Sequence, residues 1–90
     1  MLYLTLYSEY FYAIFNGIKT EEYRKNNPYW QKRIRDGHGV VLHDTIKFVN
    51  GYGSDRPWMI VELKDVSETK EQFILYLGEI IDCGNLKNLE

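Results

Sequence analysis

The chain is poor in the residues that make most small folds easy to classify: one cysteine, two histidines and two prolines stand among its ninety residues. The single thiol, Cys83, has no partner for an intrachain disulfide, so a disulfide-stapled fold is excluded. His38 and His43 belong to no Cys/His cluster with metal-ligand spacing, and neither a metal nor a cofactor is expected. The most apolar stretch, the first eighteen residues, carries Ser8, Glu9 and Asn16 and lacks both a basic n-region and a small-residue cleavage site. Glu9 falls in its middle, where a charge is costly in lipid. A cytoplasmic protein with no membrane partner is expected. The chain also lacks a positive excess: its net charge is −2 and its pI about 5.7, which excludes a uniform polycation.

What is abundant is aromatic. Ninety residues allow one domain and a thin core, and 16% of them are aromatic, eight of those tyrosine. Each ring buries roughly 150–250 Å², so few are needed for stability and some phenols are left for a ligand. Charge is unevenly spread. Residues 19–36 hold six basic and three acidic side chains (+3), whereas residues 55–90 hold four basic and eight acidic (−4). The plain reading of this asymmetry is a solvated face; the sharper one is a local basic site for an anion, a phosphate or a strand.

Periodicity divides the chain into short elements. Leu2, Leu4 and Leu6 alternate with Tyr3, Thr5 and Tyr7, the period of a strand with one buried face. Ser8 stands where an N-cap belongs, Phe11, Ile14 and Phe15 follow at helical spacing, and Gly17 sits at the C′ position. Residues 20–24 read as a second strand, with Thr20, Glu22 and Arg24 on one face. Asn27 and Pro28 open a second helix with Trp30 and Ile34 on one side, basic side chains in its last turn, and Gly37 closing it. Strand material recurs at residues 45–49, 58–66 and 73–77, with a turn-rich loop at 50–57, a polar connection at 67–71 and a bulge or bend at Gly78. Residues 1–84 form a single domain and 85–90 a tail. The expected fold is α+β: about five mostly antiparallel strands curled toward a barrel, with two short helices in the N-terminal half.

The densest set of functional groups is Gly17-x-Lys19-x-x-Glu22-x-Arg24. Gly17 turns the chain, Lys19 emerges at the turn, and Glu22 and Arg24 share a strand face. A surface ion-pair ladder of little worth satisfies the same spacing. The segment Tyr10-Phe11-x-x-Ile14-x-x-Gly17-x-Lys19-Thr20-x-Glu22-x-Arg24 resembles the signature of ASCH domains, a branch of the PUA-like superfamily. The similarity extends through Pro28-Tyr29-Trp30, Lys32-Arg33, Phe48-x-Asn50-Gly51-Tyr52-Gly53 and Leu77-Gly78-Glu79-Ile80, as in short bacterial and phage members.

The resemblance implies a PUA-like β-barrel with a cleft beside the first helix, lined by Lys19, Glu22 and Arg24, with Thr20 close by. Asn50 and Tyr52 are candidates to border the cleft, because their glycine-flanked loop can bring backbone N–H groups close to a ligand. The implied ligand is single-stranded RNA or a nucleotide or nucleoside: cations on phosphate or base, Glu22 accepting from an exocyclic amine, and rings stacking on bases. The alternative is a small hydrolase, either a ribonuclease using Lys19 and Glu22 as acid and base or an amidohydrolase acting on acylated nucleosides. In the amidohydrolases a threonine stands where this chain has Glu22. Thr20 lies two residues away, so binding is the first expectation.

Overall fold

A computed structural model of the chain describes residues 1–88. Its strands are β1 (Leu2–Leu6), β2 (Glu21–Lys25), β3 (Thr45–Asn50), β4 (Trp58–Glu68) and β5 (Gln72–Gly84). The helices α1 (Ser8–Phe15) and α2 (Pro28–Ile34) both precede β3, and a 3-10 turn spans Leu86–Asn88. The strands form one sheet in the order β1-β3-β4-β5-β2. Only β1–β3 is parallel; the other pairings are antiparallel. That parallel pair requires a crossover, supplied by α1, β2 and α2.

The alternation of β1 becomes a strict buried–exposed pattern, and its register sets leucine against the core side chains of β3: Leu2 opposite Ile46, Leu4 opposite Phe48. Phe48 in turn faces Met59, and Ile46 faces Val61. Phe11 and Ile14 of α1 and Ile34 of α2 complete this cluster. β2 is different. It contributes no apolar side chain to the cluster; Glu22 lies opposite Leu75 and Arg24 opposite Phe73, so its inward face is charged. Directly paired residues share a face of the sheet, and both charged groups therefore point the way the core points.

β4 and β5 are the long elements, and about 13 residues at roughly 3.3 Å each account for the 40 Å long axis. Their ladder slips register three times, between Ile60 and Val61, Val61 and Leu63, and Leu63 and Asp65. Such bulges bend a strand and increase its twist, which curls the sheet. The curl does not close. β1 and β2 remain the two edges, so the fold is an open half-barrel rather than the barrel the sequence led one to expect. Gly78 lies at one slip, where a Cβ would fall 2.0 Å from Glu62 Oε1.

Several boundaries differ from expectation for local reasons. The N-cap of α1 is Tyr7, not Ser8, and it makes no side-chain cap. The Ser8 hydroxyl instead accepts from Asn50 Nδ2 at 3.1 Å. Asn27 caps α2 as expected, accepting from the Trp30 N–H at 3.0 Å. That helix ends before Gly37, because Arg35 is extended and bridges to Val41. β5 runs well past Gly78, since its ladder with β4 resumes after the bulge. After β5, Leu86 packs on the core and Asn88 Nδ2 donates to the Asp55 carbonyl at 2.7 Å. Residues 89 and 90 lie outside the described residues.

Candidate functional site

The site begins where α1 stops. Gly17 adopts φ +74°, a left-handed value that a Cβ disfavours, and the chain reverses there. The N–H groups of Ile18 and Lys19 both donate to the Ala13 carbonyl at 2.9 Å, which fixes Lys19 against the helix end. β2 follows at once. Its N-terminal extension is held by Leu77 N–H donating to the Thr20 carbonyl at 2.9 Å. Lys19 is thus anchored from both sides, and Thr20 and Glu21 separate it from Glu22.

Glu22 is 4% exposed. Its Oε1 accepts from Lys19 Nζ at 3.0 Å and from the Tyr23 N–H at 2.9 Å. Its Oε2 is buried and accepts no hydrogen bond among the described residues. Arg24 Nη1 lies 3.5 Å from it as an ion pair and donates to the Tyr23 carbonyl at 2.7 Å. The lysine and arginine side chains keep 22% and 18% of their surface in solvent.

Aromatic rings hold the cations in place. Lys19 Nζ lies 4.6 Å above the Tyr10 ring, and the Arg24 guanidinium stacks 5.4 Å from the ring of half-buried Trp30. The Tyr23 hydroxyl donates to Glu21, and this bond is the main cause that raises the phenol pKa above its ordinary 10.0.

These groups surround a hollow of about 530 Å³. Thr5, Leu6 and Tyr7 form the wall on the β1 side, Tyr10 comes from α1, and Lys19 and residues 22–24 form the opposite wall. The hollow is the gap between the two edges of the sheet. An unclosed barrel leaves it there, and the inward charges of β2 line it.

The six sequence-chosen residues divide. Lys19, Glu22 and Arg24 converge on the hollow. Thr20 is exposed and does not line it. Tyr52 is 89% exposed and borders two adjoining hollows, sharing one with Arg24. Asn50 is placed elsewhere. It ends β3 on the core face opposite Leu6, is 2% exposed, and uses its amide on Leu6, Ser8 and Arg56. Sequence reasoning missed Tyr7 and Tyr10 as wall residues; the tyrosine excess was the available signal. Among the described residues, no three His, Cys, Asp or Glu side chains are grouped to hold a metal. No helix of the described residues is long and apolar enough to cross a membrane.

The chain matches no protein-family model, and no curated protein matches it. The site is therefore read from its own chemistry.

Proposed function

We propose that this chain is an ASCH-type module of the cytoplasm that binds single-stranded RNA or a nucleotide through the Lys19–Glu22–Arg24 hollow. One observation carries the reading: two anchored cations, Lys19 and Arg24, flank the Glu22 carboxylate on the wall of one hollow. The ligand group that complements it is an N–H donor next to negative charge. A base bearing an exocyclic amine, joined to a phosphate, has both. Lys19 and Arg24 meet the phosphate or the base carbonyls, and Tyr10 presents a ring beside them. Hydrolysis is a second reading, supported by the 3.0 Å Lys19–Glu22 contact, which joins an acid–base pair inside the same hollow.

The test is fluorescence anisotropy of labelled C6, A6 and U6 RNA, with CMP and cytidine as competitors. Wild-type protein is expected to bind C6 more tightly than U6, because uracil has a carbonyl where cytosine has the amine. Lys19→Ala, Glu22→Gln and Arg24→Ala are each expected to weaken binding at least tenfold with an unchanged circular dichroism spectrum. Absence of saturable binding to every probe, or three variants that bind like wild type, overturns the reading. Chromatography of the same RNAs and of an acylcytidine separates binding from turnover, since product lost in Lys19→Ala marks an enzyme.

A further inference from the structure

The Glu22 hollow is one end of something longer. A second hollow of about 340 Å³ adjoins it, with Tyr3, Leu4 and Thr5 on the β1 side and Arg24, Tyr29 and Tyr52 opposite. A third, of about 330 Å³, continues past Tyr3 to Met1 and is faced by Lys32, Arg33 and His43. Neighbouring hollows share walls. Thr5 and Arg24 belong to the first and second, and Tyr3 to the second and third. Together they make one groove that follows β1 from Tyr7 back to Met1, roughly 20 Å at the rise of a strand.

The groove has a consistent chemistry. Its ionic side chains are Lys19, Arg24, Lys32 and Arg33 against Glu22, a balance of +3 in a chain whose net charge is −2. Exposed rings alternate with these cations: Tyr10 by Lys19, Tyr52 and Tyr29 by Arg24. Arg33 is fixed by stacking 3.4 Å from the Tyr29 ring while Nη1 donates to the Tyr29 carbonyl, so the second and third hollows meet at a rigid cation–ring pair. His43 Nε2 donates to the Arg33 carbonyl at 2.9 Å and braces the same turn from below. Rings interleaved with cations in an extended groove suit a single strand, whose bases are unstacked and whose phosphates recur. A mononucleotide would leave two of the three hollows empty.

We propose that a single-stranded oligonucleotide lies along β1. One base enters the Glu22 hollow, neighbouring bases stack at Tyr52 and Tyr29, and a later phosphate sits between Lys32 and Arg33. This rests on the binding reading above and extends it from a pocket to a path.

The experiment compares CMP with cytidine oligomers of two, four and six nucleotides, as RNA and as DNA, in competition anisotropy. Affinity is expected to rise at least tenfold from CMP to the hexamer in one or both series; a preference for RNA then identifies 2′-hydroxyl contacts. Tyr52→Ala and the double variant Lys32→Ala/Arg33→Ala are expected to weaken the hexamer several-fold and leave CMP unchanged. The double variant should also flatten the salt dependence by about 0.7 in log–log slope, the value for one phosphate contact on a single strand. CMP competing as well as the hexamer, with both variants silent, overturns the path and leaves the pocket reading standing. Equal competition by poly-glutamate overturns it too, since the groove would then read charge alone. No binding by any probe removes both proposals.

Discussion

Replacing Asn50 by alanine separates structure from binding more sharply than any change in the hollow itself. The side chain is 2% exposed and makes three bonds: its Nδ2 donates to the Leu6 carbonyl at 3.3 Å and to Ser8 Oγ at 3.1 Å, and its Oδ1 accepts from Arg56 Nη2 at 2.7 Å. It therefore ties the end of β1 and the start of α1 to the loop that follows β3. A neutral bond contributes about 0.5–1.5 kcal/mol net and one to a charged group about 1.5–3 kcal/mol. The partners are not all orphaned by its loss. The Leu6 carbonyl still accepts from Gly51 N–H at 3.2 Å, Arg56 Nε still donates to the Asn50 carbonyl at 2.8 Å, and Ser8 is only half buried. The expected cost is therefore near the lower part of the sum, about 3 kcal/mol. For a domain of this size that lowers Tm by roughly 12–24 °C. Urea unfolding should show a lower midpoint with an unchanged slope. Cytidine-oligomer affinity, measured well below the new Tm, should match wild type, because Asn50 does not face the groove. A loss below about 1 kcal/mol refutes the assignment as a structural tie. Weakened binding with stability intact refutes its exclusion from the site.

Two further perturbations probe the frame of the groove. Gly84 pairs with Trp58, and a Cβ there would lie 2.6–2.7 Å from the indole, so Gly84→Ala must push the ring off the strand. A cost of about 1–3 kcal/mol is expected by thermal melting, with a shift in tryptophan emission; an unchanged spectrum and Tm contradict the close approach. The Tyr23 phenol, held by the Glu21 carboxylate and by partial desolvation, titrates above its ordinary value of 10.0. A raised folded pKa means the bond's contribution is intact below that value and is lost as pH rises through the folded one. Absorbance titration at the phenolate band should lose a component titrating above 10.0 in Tyr23→Phe, and an unaltered curve refutes the contact.

Local patterns carried much of the fold. The leucine alternation of β1, the Asn27–Pro28 start of α2 and the Gly17 turn are properties of a few neighbouring residues, and the structure places each where the pattern did. Ser8 misled because serine is a good cap in isolation; Asn50, distant in sequence, claims its hydroxyl. The length of β5 was hidden for a similar reason, since a ladder that survives a bulge depends on its partner strand rather than on its own alternation.

The candidate site divides along the same line. Sequence alone placed Glu22 and Arg24 on one strand face with Lys19 at the turn before it, because a glycine turn feeding a strand fixes that spacing. It could not say which way that face points. Pairing β2 with β5 opposite Leu75 and Phe73 turned the charges inward, and only then did Glu22 become buried between Lys19 and Arg24. The groove along β1 is likewise tertiary. It exists because bulges curl the sheet without closing it, bringing β1 and α2 to opposite walls of one gap that no local segment contains.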